Sequence, residues 1–195
     1  MNPILPCGFK KAIVSTARSL AIVTLCGVLI GAPLPPTATG HAASEPDACQ
    51  QFVWPLETER SWFKAADSKD VETGDTLATP PNDRAITVKL APAEGVALHA
   101  PPTGTPKSDH SPPFAGVVNF KSIPEGHYQI ALSDNGWIDV VQNGKALEAT
   151  GHTGAPDCAD IRKSVRFEIA SAPFAIQITG ARAATVRIAI RPAAD

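Results

Sequence analysis

Six side chains in two short stretches have the types and spacing to hold a ligand. Asp134-Asn135-Gly136-Trp137, with Asp139 two residues on, sets oxygen-bearing side chains beside an indole. Such a turn can bind calcium or stack on a sugar. It reads equally as a polar turn leading into a strand whose tryptophan packs in the core. The second stretch, Ile161-Arg162-Lys163-Ser164-Val165-Arg166, carries Arg162 and Arg166 four residues apart. Together they could bind an anion. If a strand begins by Ser164, however, Arg166 points outward on a solvated face while Arg162 stays in the preceding loop.

Four histidines lie beyond the N-terminal region, His99, His110, His127 and His152, all in or beside turn-rich segments. Two histidines and a carboxylate on one face of a metal would hold non-haem iron. The close His-x-His or His-to-Glu spacing that sandwich folds use for this is missing. A metal site would need distant histidines to converge, and solvated loop histidines are the alternative. No serine sits in Gly-x-Ser-x-Gly, and no glycine-rich phosphate loop or dinucleotide fingerprint is present. Carboxylates are plentiful, but no spacing marks a catalytic pair.

The elements that must position these groups change period along the chain. Pro55 suits a first helical turn, and Leu56, Glu59, Arg60 and Phe63 recur at helical spacing, so residues 49–66 read as a helical segment. Phe52, Trp54, Trp62 and Phe63 form an aromatic cluster, either core or a stacking platform. Residues 67–84 are polar and read as a loop. From Ile86 the period is two. Strands are expected around 86–90, 96–98, 114–120, 128–132, 137–141, 145–147, 165–169, 174–179 and 186–191. Asn143-Gly144 marks a tight hairpin, because both residues tolerate positive φ. The proline-rich stretch 99–113 reads as a semi-rigid surface loop, and 150–160 as a second loop. The fold class expected is all-β: an antiparallel, jelly-roll-like two-sheet sandwich of about eight strands, each with one face to solvent, after a short N-terminal helix.

The chain has 195 residues and a formal charge of −2, which argues against a nucleic-acid binder. Lys10, Lys11 and Arg18 precede an apolar run from Leu20 to Ala32, and small residues follow to Ala42. This is the pattern of a secretory signal peptide cleaved near Ala42; the run is short of the roughly 20 residues of a spanning helix. The domains expected are therefore a leader over 1–42, a helical segment and loop over 43–84, and a sandwich over 85–195. Cleavage leaves 14 bases against 19 acids, with the bases concentrated after residue 160. That asymmetry fits either opposite-sign halves packing together or a basic patch for an anion. Of four cysteines, Cys7 and Cys26 leave with the leader, and Cys49 and Cys158 are expected to pair in an oxidising compartment. No Cys-x-x-Cys redox pair exists.

The residues Cys49-x-x-Phe52-x-Trp54-Pro55-Leu56, Gly126-x-Tyr128, Leu132-Ser133, Trp137-Ile138-Asp139-Val140, Asn143-Gly144, Cys158 and Ile161–Phe167 together resemble a family of short exported proteobacterial proteins of unassigned activity. The resemblance spans most of residues 49–191. Some members carry the automatic label homogentisate 1,2-dioxygenase, an iron-dependent, cupin-type ring-cleaving enzyme. That label implies Fe2+ as cofactor and aromatic-ring dioxygenation as the alternative activity. The enzyme's metal-binding His and Glu spacing is absent here, so no iron ligand carries over. The Gly-x-Tyr strand opening also resembles small exported accessory β-sandwiches. The function expected is a periplasmic or secreted, non-catalytic binding or envelope accessory module. It would need no cofactor, and its partner would be a small molecule, a glycan or an envelope protein. Neither nucleic acid nor, after cleavage, a membrane is expected as partner.

Overall fold

The computed structural model describes residues 47–104 and 113–194, all within the unit Ala43–Asp195. The leader expected over 1–42, and His110 with most of the proline-rich loop, lie outside the described residues. Twelve strands are present among them. They are β1 Lys69–Glu72, β2 Thr76–Leu77, β3 Ile86–Lys89, β4 Ala91–Pro92, β5 Phe114–Phe120 and β6 Gly126–Leu132. They continue with β7 Trp137–Gln142, β8 Lys145–Ala146, β9 Ala149–Gly154, β10 Lys163–Ile169, β11 Phe174–Ala181 and β12 Thr185–Pro192. One helix, α1, spans Glu57–Lys64.

The strands form two sheets. The first has the order β1-β3-β12-β6-β10-β9, the second β2-β5-β11-β7-β8, with β4 paired to β5. Their inner faces meet in one apolar core that includes Phe120, Ile130, Leu132, Phe167, Ile178 and Ile188. Phe120 stacks on Phe174 with ring centroids 4.8 Å apart. The expected hairpin is present: Asn143 and Gly144 turn at φ 52° and 72° between β7 and β8.

The all-β sandwich stands, but the strand count and the antiparallel assignment need correction. The additional strands are short or polar. β1 reads Lys-Asp-Val-Glu with one apolar residue, β2 has two residues, and β9 reads Ala-Thr-Gly-His-Thr-Gly. None carries an apolar alternation to detect, so 67–84 and 150–154 read as loop. β1 runs parallel to β3, and β2 parallel to β5. The segment 73–85 supplies the return path that parallel pairing requires. Val96 and Leu98, expected on a strand, instead follow a 3-10 turn at Ala93–Gly95.

The expectation that outer faces meet solvent holds at β1 and β3, where Asp70, Glu72 and Lys89 are exposed, and fails elsewhere, because much of each outer face is covered. Over the first sheet lie α1 and the preceding 3-10 turn at Ala48–Gln51. Leu56 and Phe63 pack there on Ala131, Ala189 and Ile161. Small alanines on the strands let the helix approach. Over the second sheet runs the irregular segment 97–104. Gln177, fully buried on β11, clamps it. Its Oε1 accepts the N–H groups of His99 and Ala100, and its Nε2 donates to the Ala100 carbonyl at 3.1 Å. Polar residues on β6, β7 and β11 therefore face a second protein layer, which alternation alone cannot distinguish from water.

Cys49 and Cys158 form the expected disulfide across 109 residues. It pins the N-terminal cover to the loop between β9 and β10. The aromatic cluster belongs to this cover: Phe63 is buried, and Phe52, Trp54 and Trp62 pack half-buried against the second core.

Candidate functional site, a cavity between the sheet edges

Where β7 and β8 face β9 and β10, the two sheets leave a cavity of about 370 Å3. Strand register decides which side chains enter it. On β10, Lys163, Val165 and Phe167 share the inner face, and the pairing of Val165 with His152 puts His152 there too. Ile138 from β7 and Leu147 after β8 complete an apolar floor. Thr103, Asn135, Trp137, Arg162 and Lys163 supply the polar part of the wall.

Lys163 is the central cation. Its Nζ lies 5.4 Å from the Trp137 ring centroid. Burial depresses its pKa below the ordinary lysine value, and the Asp134 carboxylate opposes that shift. Among the described residues, the side chains of Lys163, Arg162, His152 and Asn135 make no hydrogen bond or ion pair with the protein. Four groups with unspent donor capacity thus border one concave apolar surface.

The indole is held from behind. Trp137 Nε1 donates to Thr103 Oγ1 and to Asp139 Oδ1, each at 3.1 Å. Asp139, only 1 % exposed, also accepts from the Thr103 amide and hydroxyl through Oδ1. Its Oδ2 has no hydrogen-bond partner. Gly104 lies against the indole so closely that a Cβ there would overlap the ring. The segment 97–104 thereby reaches the cavity wall.

The six residues singled out from sequence are placed in three ways. Asn135, Trp137 and Arg162 line the cavity. Asp134 and Asp139 support it. Asp134 spends its carboxylate on the amides of Gly136, Arg182 and Ala183 and so fixes the turn before β7. Arg166 lies on the opposite face of β10, with its guanidinium 4.2 Å from the Trp54 ring and Nη2 donating to Gln129 and Ala194. The Arg162–Arg166 pair is therefore split by the strand. Lys163 was not singled out from sequence, and His152 was singled out only as a candidate metal ligand. Lys163 was recoverable, because the Val165–Phe167 alternation run one step backward reaches it. His152 was not, since β9 has no apolar period.

The histidines do not gather. His99 Nε2 pairs with Asn119 Oδ1 at 2.8 Å, beside the covering segment of the second sheet. His127, on the outer face of the first sheet, pairs with Thr150 Oγ1 at 2.7 Å. His152 faces the cavity. Among the described residues no three His, Cys, Asp or Glu side chains are grouped to hold a metal ion, and His110 lies outside them. A second hollow, about 570 Å3, is lined by Leu77, Pro80, Pro81, Ile123, Tyr128 and Pro192 among others. Among the described residues, Lys69 is the one charged residue on its wall. Among the described residues, no helix is long and apolar enough to cross a membrane. No protein-family model, curated protein or solved structure matches this chain.

Proposed function

We propose that this is an exported, periplasmic or secreted, non-catalytic binding module that holds a small molecule between the edges of its two sheets. The observation that carries the reading is the cavity itself: an apolar floor of Ile138, Leu147, Val165 and Phe167 with a few polar groups on its wall. Small-ligand sites have this composition, concave and mostly apolar with few orienting groups. The leader-like N-terminus and the Cys49–Cys158 disulfide support export, since such bridges persist in oxidising compartments. A sandwich with much of both outer faces covered suits a carrier or sensor whose site is preformed.

The test expresses the full chain in a Gram-negative host and recovers the protein from the periplasm. Its mass should correspond to a chain beginning near Ala43. The purified protein is then titrated with N-phenyl-1-naphthylamine, a neutral dye that brightens in apolar sites. Saturable one-to-one uptake is expected, and Ala149→Trp, which fills the cavity from an exposed edge strand, should abolish it. Retention in the cytoplasm removes the export reading. Absent uptake, or uptake unchanged by the filling variant, removes the cavity as the binding site.

A further inference from the structure

We propose that the cavity recognises a small amphiphilic monocarboxylate, with its head group on Lys163 and Arg162 and its apolar body on the floor formed by Ile138, Val165 and Phe167. This rests on the binding reading above and adds the chemical class of the guest. The argument starts from what the protein leaves unpaired. Several cations here have partners. Arg60 meets Asp47 and Asp160, Lys64 meets Asp160, Arg84 meets Asp83, and Arg191 meets Glu59. Lys69, Lys121 and Lys145, which have none among the described residues, are exposed to water, and Arg187, also without one, lies on the outer face of β12 away from the cavity. Lys163 and Arg162 have none among the described residues, although Lys163 is half-buried against an indole. A desolvated ammonium without an acceptor is costly, and a guest that brings an anionic acceptor relieves that cost.

Charge balance narrows the guest. Lys163 and Arg162 at the wall have two acids near them, Asp134, whose carboxylate is engaged by backbone amides, and Asp139 behind the indole, whose Oδ1 is engaged by Trp137 and Thr103. Both acids spend oxygens on groups of the protein, so the two cations are left to an anionic head group. His152 and Asn135 offer further hydrogen bonds to the head group. Size narrows it again. The cavity lies at the lower end of the roughly 300–1,000 Å3 of small-ligand pockets, so the body is a short chain or a single ring, not a long lipid. The floor offers no polar atom to a second head group, which argues for one charged end only.

The test compares octanoate with 1-octanol by calorimetric titration of the mature, disulfide-bonded protein. Octanoate should bind about tenfold more tightly, the size of one charge-assisted contact. Lys163→Met keeps the side-chain stem and removes the charge; it should erase that preference while octanol binding stays within about twofold. Arg162→Gln, at a half-buried loop position, should reduce the preference without changing the unfolding midpoint, which covers the case in which Lys163→Met folds poorly. Equal binding of the two guests would overturn the monocarboxylate assignment and leave the cavity reading standing. Binding of neither would overturn both. An octanoate preference that survives both substitutions would place the anion elsewhere and overturn the assignment.

Discussion

Arg166 and Lys163 sit three residues apart on β10, and each lies beside an indole, yet the two environments differ in kind. Arg166 is 4.2 Å from the Trp54 ring and donates to Gln129, whose amide donates to Glu59, which in turn meets Arg191. Trp54 donates its own N–H to Ser164 at 3.2 Å. Beneath α1, cation, amide, carboxylate and indole are linked to one another, with Arg166 Nε the one guanidinium nitrogen left buried and unbonded among the described residues of this network. Around Lys163 the indole is satisfied from behind, but the cation, Arg162, His152 and Asn135 are not. A network whose members mostly bond to one another contributes to specifying the fold. An open one in a concave apolar site identifies where a guest would complete it.

The largest expected effect comes from the bond that serves both regions. Cys49–Cys158 ties the cover over the first sheet to the loop that carries Pro156 and Arg162. Closing a loop of 109 residues restricts the unfolded chain by about 4–5 kcal/mol in the simple entropy model. The Cys49→Ala/Cys158→Ala double variant should therefore lose about that much stability in urea unfolding. It should also weaken octanoate binding, because Arg162 loses its anchored loop. If stability falls and binding does not, the cavity wall is independent of the bridge and the two regions are separate devices.

The next effect isolates the network beneath α1. Glu59 is fully buried, with Oε1 accepting from Gln129 at 2.6 Å and Oε2 meeting Arg191 at 3.3 Å. Glu59→Ala strands both donors. The cost should be about 2–3 kcal/mol, below that of a fully enclosed pair because the Arg191 side chain is 35 % exposed. Octanoate affinity should stay within about twofold, since β10 shows this network its outer face and the cavity its inner one. A coupled loss of stability and affinity would refute the division of the strand into two independent faces.

How much of this was readable beforehand follows from the same strand. Period two in Val165, Phe167 and Ile169 locates β10 and its faces, and analogous runs locate β5, β6, β7, β11 and β12. Asn143-Gly144 fixes one hairpin, and two leftover cysteines fix one bridge. The edge strands β1, β2 and β9 escaped because they are held by backbone pairing, with little side-chain burial to leave a pattern. The outer layers escaped because Gln129, Gln177 and Asp139 look like solvent-facing residues and are buried polar contacts instead. For the site, Asn135, Trp137 and Arg162 were legible as types. Asp134 and Asp139 were legible as positions but serve as supports. His152 depended on a partner strand that no local pattern announces.

The smallest effect is the most direct probe of the open region. Burial holds the Lys163 pKa below its ordinary value of 10.5, and Asp134 only partly offsets this. In the window between the folded value and 10.5 the unfolded chain binds more protons, so stability from this group rises with pH across that window. Below it the full penalty of a charged, poorly solvated ammonium is present. Lys163→Met should thus unfold at slightly higher urea than the parent at pH 7, and the gap should narrow as the pH approaches 10.5. An octanoate carboxylate on Nζ would favour the charged form, so the guest should move the Lys163 titration, followed by NMR at its Cε, upward. A Lys163 that titrates at 10.5 without guest would be a solvated lysine like any on the surface, and the contrast with Arg166 would lose its physical basis.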